Sequence, residues 1–195
     1  MKGPKKKKPT RRDFIELAII LVVFAVIYLT GSQAKVFGKV QQAVLYTGIM
    51  NARELDEMAI KEANYNFKFT NESGQIVSAQ TLKGKTIFMN IWATWCAPCV
   101  AEMPGINALY EKVKDDKDVV FLMISEDRDF QKAKDWIADK GFDLPIHQLA
   151  SQLPTVYETG VVPTTFVISK DGKIVVKKTG MANYNTKRFE RLLRK

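Results

Sequence analysis

The chain of 195 residues has only two cysteines and one histidine, and this scarcity limits the metal chemistry open to it. A closed structural zinc site requires four Cys or His ligands, whereas the sequence offers Cys96, Cys99 and His147 only. We therefore predict no metal site. A third cysteine is also lacking, so the chain has no separate structural disulfide, and both sulfurs are available for exchange.

Acidic residues are in the minority, with 21 Asp and Glu against 30 Lys and Arg, which gives a net charge of +9. Seven of the basic residues precede Asp13, so the rest of the chain carries a net charge of only +2. Because the positive charge is concentrated in a short tail, we do not expect nucleic-acid binding.

One long hydrophobic run follows this tail. Residues 17–29 contain no charged side chain, and Phe14 and Ile15 extend the run across the single acid Glu16. Residues 14–30 have about the minimal length of ~17 residues that spans a bilayer as a helix. The positive-inside rule then keeps residues 1–13 in the cytoplasm. We predict a basic cytoplasmic tail (1–13), a transmembrane signal-anchor (14–30) and a single-pass protein of the bacterial cytoplasmic membrane, with its C-terminal domain facing the periplasm or extracytoplasmic space.

Two other interpretations of this segment remain open. Small residues at positions 32 and 34 would allow cleavage of a signal peptide after Ala34 and release of a soluble protein. Arg11 and Arg12 resemble the start of a twin-arginine export motif. All three interpretations place the later part of the chain outside the cytoplasm, where thiols become oxidised unless electrons are supplied to them.

Both cysteines lie in the sequence Trp92-Ala93-Thr94-Trp95-Cys96-Ala97-Pro98-Cys99, directly after an apolar run at residues 86–91. Two thiols in this spacing, at the junction of a buried strand and a helix, are within bonding reach and can alternate between dithiol and disulfide. A structural disulfide here would close a very short loop and so constrain the unfolded chain little. The pattern predicts a thiol-disulfide oxidoreductase.

Hydrophobic periodicity predicts an α/β domain at residues 64–195, preceded by a helical spacer at residues 31–63. In the spacer we expect helices within residues 35–62, the second of them capped by Asn51. In the domain we expect a hairpin at 66–78, a strand at 86–92, a helix at 96–113 kinked near Pro104, a strand at 119–124, a helix at 130–140, a strand at 144–149, a hairpin at 164–178 and a helix at 186–194. This order predicts a central mixed sheet flanked by helices.

Several motifs resemble those of thioredoxin-fold proteins and follow one another in the same order as in that family. More narrowly, they resemble those of the membrane-anchored TlpA and ResA-like thiol-disulfide oxidoreductases. The matching residues are Gly84-Lys85, Asn90-Ile91-Trp92-Ala93-Thr94-Trp95-Cys96-Ala97-Pro98-Cys99, Glu102-Met103-Pro104, Gly160-Val161-Val162-Pro163-Thr164-Thr165-Phe166 and Asp171-Gly172. The resemblance covers residues 65–195, about two thirds of the chain. It implies a thioredoxin fold with an added N-terminal β-hairpin.

The resemblance also implies roles for individual residues. Cys96, at the first turn of a helix, is expected to be the exposed attacking thiol, and Cys99 the resolving thiol. Thioredoxins carry a buried aspartate where this chain has Asn90, which cannot titrate. Glu102, one helical turn after Cys99, resembles a relocated acid-base group. The alternative for Glu102 is a solvated helix carboxylate.

Five further residues are expected to contact the substrate. The resemblance implies that Pro163 follows a cis peptide bond and, with Val162, offers backbone atoms to an extended substrate strand. Trp95 directly precedes the attacking cysteine, and Ala97 and Pro98 separate the two thiols. His147 falls in a predicted strand without an evident catalytic partner, and we interpret it as structural.

We predict a reductase of disulfide-bearing extracytoplasmic proteins that needs a membrane electron donor and no cofactor beyond the Cys96–Cys99 disulfide. The resemblance suggests cytochrome c assembly as a context. Pro98 supplies no charge that would stabilise the reduced form, which favours a reductant. The alternatives are a disulfide-forming oxidase or isomerase, a non-catalytic binding module held at the membrane, and a redoxin-type peroxidase. The last requires a threonine where this chain has Ala93.

Overall fold

A computed structural model describes residues 11–12, 14–19, 22, 43–45, 47, 51–52, 61–71 and 73–195. The chain divides into two units, Met1–Phe37 and Gly38–Lys195. In the first unit the described residues are helical, and the Arg12 side chain donates a hydrogen bond to Glu16 at 3.1 Å. Within the described ranges, no helix has the length and hydrophobicity needed to cross a membrane. Much of the predicted anchor at 14–30, and Ala34, lie outside the described residues.

The second unit is built on one mixed sheet of eight strands, in the order β1-β8-β7-β4-β5-β6-β2-β3. The strands are β1 (Lys61–Glu62), β2 (Lys68–Thr70), β3 (Ile76–Ser78), β4 (Thr86–Trp92), β5 (Val119–Ser125), β6 (Ile146–Leu149), β7 (Thr164–Ile168) and β8 (Lys173–Thr179). The neighbours β4–β5 and β5–β6 are parallel, and the other neighbours are antiparallel. The predicted mixed sheet and N-terminal hairpin are confirmed.

Strand β4 lies in the middle of the sheet, and all seven of its residues are buried. Its side chains alternate between two core clusters. Phe88 and Trp92 belong to the cluster on one face, whereas Ile87, Met89 and Ile91 belong to the cluster on the other. This two-sided burial explains the continuous apolar run in the sequence. It also fixes the end of β4, from which the cysteine-bearing loop continues.

Three α-helices belong to the described part of the domain: α1 (Ala97–Val113), α2 (Phe130–Asp139) and α3 (Lys187–Leu193). Buried residues of all three helices belong to the core cluster that contains Phe88. The opposite cluster is completed by the hairpin, by loop residues and by Tyr157 in a 3₁₀ turn (Thr155–Tyr157). The helices therefore cover one face of the sheet. Among the described residues no α-helix packs on the second face, so the expectation of helices on both sides is not met in this part of the chain.

Helix α1 begins at a cysteine and contains a proline in its interior. Cys96 is its N-cap, and Pro98 lies in its first turn, where no amide hydrogen is needed. Pro104 lies inside α1 and does not end it, since the helix continues to Val113. The helix therefore carries Cys99 and Glu102 on one continuous element.

The predicted helical spacer is wrong at two places where the structure describes it. Asn51 forms an isolated parallel bridge with Asn183, and Lys61–Glu62 is strand β1, paired with β8 at the edge of the sheet. Residues 43–45 are helical, and the other predicted helical positions lie largely outside the described residues. An amphipathic pattern cannot reveal such pairings, because the hydrogen-bonding partners lie more than a hundred residues away in the chain.

Candidate active site

The two cysteines form a disulfide at the start of α1. Cys96 and Cys99 have Cα atoms 5.2 Å apart and an S–S distance of 2.11 Å. The backbone N–H of Cys99 donates a hydrogen bond to the Cys96 sulfur at 3.2 Å. A turn closed by the Cys96 N–H and the Ala93 carbonyl (3.3 Å) connects β4 to the helix. The predicted junction of strand, cysteine pair and helix is confirmed.

The two sulfur-bearing residues differ in exposure, although both are largely buried. Cys96 is 5% exposed and Cys99 is 0% exposed, whereas the neighbouring Trp95 is 68% exposed. Cys96 is thus the more accessible of the two, as its assigned role requires. The expectation of an exposed Cys96 is wrong for the oxidised form, in which Cys96 belongs to the same buried core cluster as Cys99.

A buried aspartate braces the loop before the cysteines. Asp127 accepts hydrogen bonds from the Thr94 backbone N–H (3.0 Å), the Thr94 hydroxyl (2.6 Å) and the Ser125 hydroxyl (2.9 Å). Thr94 follows β4 and Asp127 follows β5, two parallel neighbours whose registered ends are Trp92 and Ser125. Asp127 was not among the site residues predicted from the sequence. Polar residues directly after neighbouring parallel strands are the signal that would have found it.

The structure brings Pro163 to the same end of the sheet. The Val162–Pro163 peptide bond is cis, as the resemblance implied. Pro163 directly precedes β7, in which Thr164 pairs with Ile91, one residue from the end of β4. The carbonyl of Pro163 accepts a hydrogen bond from Gly180 N–H at 2.9 Å.

Glu102 is a buried carboxyl group and not a solvated one. It is 1% exposed, and its two oxygens accept hydrogen bonds from the Asn90 side-chain amide (2.9 Å) and the Ala182 N–H (3.0 Å). Burial raises the pKa of Glu102 from its ordinary value of 4.5 to about 8, and these two hydrogen bonds and the charge of Lys178 offset part of the rise. A buried acid that titrates near neutral pH suits proton transfer.

Asn90 links this acid to the strand that follows Pro163. Its amide nitrogen also donates a hydrogen bond to the Thr165 hydroxyl of β7 at 2.8 Å. Tyr184 is fully buried, and its pKa is raised well above the usual value, first by burial and then by the charge of Glu102. Glu102, Asn90, Thr165 and Tyr184 therefore form a buried polar group. Sequence reasoning missed Thr165 and Tyr184, because they lie more than sixty residues from Glu102.

His147 lies in β6, and burial lowers its pKa to about 4. Its ring meets Phe69 edge-on, with centroids 5.0 Å apart. An uncharged histidine packed in this way agrees with the structural interpretation. Among the described residues, no group of three or more His, Cys, Asp or Glu side chains is arranged to hold a metal ion.

Comparison with known proteins gives three findings. Residues 59–193 match the model of the Redoxin family. The chain is 35% identical over 137 residues to a protein of Bacillus cereus named thiol-disulfide oxidoreductase ResA. The alignment covers 70% of this chain and 78% of that protein. The protein of the same name from Bacillus subtilis is 27% identical over 175 residues, covering 89% of this chain and 88% of that protein.

A solved structure resembles this chain in its fold. The crystal structure of a putative thiol:disulfide interchange protein DsbE from Chlorobium tepidum superposes with a TM-score of 0.56 at 22% identity. The superposition covers 67% of this chain and 94% of that one.

Proposed function

Because this chain belongs to the redoxin family and, within it, to the ResA-like thiol-disulfide oxidoreductases, we propose that it reduces disulfide bonds of partner proteins outside the cytoplasm. Thiol-disulfide exchange follows from membership of that family, whereas the direction of electron flow and the location are our proposals. The observation that carries the proposed exchange chemistry is the Cys96–Cys99 disulfide at the start of α1, on the same helix as the buried Glu102.

In the first step, the reduced protein attacks a substrate disulfide with the thiolate of Cys96. The N-terminus of α1 favours this thiolate, because unpaired backbone N–H groups and the positive end of the helix dipole surround it. A bond forms between the Cys96 sulfur and one substrate sulfur, and the other substrate sulfur leaves as a thiolate that takes up a proton. Trp95, Ala97, Pro98, Val162 and Pro163 would contact the substrate around this bond.

In the second step, Cys99 loses its proton to the Glu102 carboxylate and attacks the Cys96 sulfur. The bond between Cys96 and the substrate breaks, and the Cys96–Cys99 disulfide forms. The second substrate sulfur leaves as a thiolate and takes up the proton that Glu102 received from Cys99. Two electrons and two protons have then passed to the substrate. Because Glu102 has a pKa of about 8, it is a stronger base than an ordinary glutamate, and its ionised fraction increases as the pH rises towards 8.

The proposed location rests on the sequence of the first thirty residues. A basic tail followed by an uncharged run at 17–29 supports a single-pass anchor with the domain on the extracytoplasmic side. A protein there needs a membrane electron donor to return its disulfide to the dithiol form. Disulfide-bearing extracytoplasmic proteins, among them cytochromes c during assembly, are the proposed substrates.

The first test is a disulfide-reduction assay with the full chain in detergent and insulin as the substrate. We expect the wild-type protein to accelerate reduction by dithiothreitol. Cys96→Ser removes the attacking thiol, so it should abolish this activity. Cys99→Ser removes the resolving thiol, so it should accumulate a mixed disulfide with the substrate. A wild-type protein that never exchanges its disulfide would overturn the proposal.

The redox potential of the Cys96–Cys99 pair separates a reductase from an oxidase. Pro98 places no positive charge between the cysteines, which favours a potential near the thioredoxin value of about −270 mV or lower. Equilibration with dithiothreitol and glutathione, followed by counting of free thiols by mass, gives this value. A result near −120 mV would instead identify a disulfide-forming oxidase.

A further inference from the structure

A cavity of about 160 Å³ lies beside the buried acid. Glu102 forms part of its wall, together with small residues of α1 and with Ala182 and Asn183 of the loop after β8. The remaining side is formed by Leu45, which precedes the domain in the sequence. A cavity of this size, lined by a carboxyl group and by side-chain amides, has both the room and the polar partners that water requires.

The side chain of Leu45 is buried where it forms this wall. It is 7% exposed, whereas its neighbour Val44, in the same helical turn, is 38% exposed. The apolar side chain of Leu45 therefore faces the domain, and that of Val44 faces solvent. This difference gives a matched pair of residues for an experiment.

The same segment is attached to the loop that binds Glu102. The Asn51 side-chain oxygen accepts a hydrogen bond from the Asn183 amide at 3.0 Å, and the Ala52 N–H donates one to the Asn183 carbonyl at 3.2 Å. Ala182, the residue before Asn183, donates its N–H to Glu102. The segment that contains Leu45 and Asn51 thus contacts both the cavity and the loop that positions the carboxyl group.

We propose that residues 43–45 and 51–52 form a cap over Glu102, in which Leu45 closes the cavity beside the carboxyl group and the Asn51–Asn183 pair holds the cap in place. The cap determines how much water reaches Glu102. This inference rests on the proposed function, because it gives the cap a role in the proton transfer from Cys99. Leu45 and Asn51 are positioning residues, since neither is assigned a contact with the substrate.

Three other side chains on the elements around Glu102 carry titratable groups in the reduced protein and must be kept unchanged in the test. Lys178 of β8 attracts the ionised carboxylate, and Tyr184 lies close enough to interact with its charge. Cys99 lies one turn earlier on α1, and in the oxidised protein it does not titrate. Changes at Leu45 or Asn51 leave all three groups in place. A change in the titration of Glu102 would therefore report access of water and not a new charge.

The test is a ¹³C NMR titration of the glutamate carboxyl groups in the oxidised full chain, held in detergent micelles. Glu102→Gln identifies the Glu102 signal by its loss. We expect Leu45→Ala to open the cavity and to lower the titration midpoint of Glu102 by about one pH unit or more, because hydration stabilises the charged form. Val44→Ala, which shortens the exposed neighbour, should titrate as the wild type does. A wild-type midpoint in folded Leu45→Ala would overturn the cap.

Asn51→Ala provides a second, independent variant, since Asn51 is exposed and its loss should not unfold the domain. Removing its hydrogen bond to Asn183 should shift the midpoint in the same direction by a smaller amount. If Leu45→Ala does not fold, the test rests on Asn51→Ala. An unchanged titration midpoint of Glu102 in that variant would overturn the proposed cap. The titration does not depend on activity, so it separates the cap from the proposed function. Failure of disulfide reduction with a shifted midpoint would refute only the function.

Discussion

Burial decides the protonation of Glu102, the acid that follows the cysteine pair by one helical turn. Two hydrogen bonds stabilise its ionised form, yet the loss of hydration outweighs them, and the pKa rises to about 8. The folded protein therefore holds a proton on Glu102 at a pH where the unfolded chain has released it. This proton is available for exchange with a neighbouring thiol. The position of the acid was predictable from the sequence, whereas its raised pKa depends on its buried surroundings.

Replacing Glu102 by Gln should change the pH dependence of both catalysis and stability. In the wild type, the resolving step should accelerate as the pH rises towards 8, whereas Glu102→Gln should slow this step by about 10²-fold or more. The Asn90 amide can rotate to present its oxygen to the new side chain. Stopped-flow decay of the mixed disulfide between pH 6 and 9 measures the effect. An unchanged rate would exclude Glu102 as the base.

The stability effect of the same substitution has a definite sign. Because the folded pKa is raised above the unfolded value, Glu102 favours folding fully below pH 4.5, and this contribution is lost as the pH rises towards about 8. Glu102→Gln should remove that fall in the free energy of unfolding. Urea denaturation at a series of pH values measures it, and an identical pH dependence in both proteins would contradict the assignment.

At the scale of elements, the site depends on where strands end. Strands β4, β5 and β7 are neighbours, and each contributes to the same end of the sheet: the cysteine loop follows β4, Asp127 follows β5, and Pro163 precedes β7. Hydrophobic pattern and turn residues predicted these strands well. They did not predict the brace between Thr94 and Asp127, because a hydrogen bond across 33 residues leaves no local pattern.

Asp127→Ala should destabilise the protein by about 1–3 kcal/mol, because it leaves the Thr94 and Ser125 donors without their buried acceptor. Asp127→Asn keeps one carbonyl oxygen as an acceptor, so its free energy of unfolding should decrease by less. Asp139→Ala is the control, since Asp139 is exposed and pairs with Lys140 at the surface; its effect should stay within about 0.5 kcal/mol. Urea denaturation measures all three. Equal losses in Asp127→Ala and Asp139→Ala would show that the brace is unimportant.

At the scale of the whole molecule, the positively charged tail and the cysteine pair lie in different parts of the chain. Seven basic residues precede Asp13, whereas the cysteine pair lies in a domain that starts some fifty residues later. This separation suits a protein whose tail selects a side of the membrane while the domain acts on the other side.

The orientation follows from this tail. If the domain is extracytoplasmic, a membrane-impermeant maleimide should label Cys96, the more accessible thiol, in intact spheroplasts after reduction. Replacing the lysines at positions 5–8 by glutamine should reduce this labelling, because the positive-inside bias is weakened. Labelling that occurs only after lysis would place the domain in the cytoplasm and contradict the proposed location.

The sequence alone determined the family, the order of the strands and helices within residues 64–195 and the place of the cysteine pair. These properties are local: hydrophobic alternation, turn residues and the spacing of two thiols can all be recognised within a few residues. The tertiary structure decided the burial of Cys96, the brace at Asp127, the surroundings of Glu102 and the pairing of Asn51 with Asn183. Each of these depends on contacts between distant segments, and burial is set by packing, which a linear pattern does not specify.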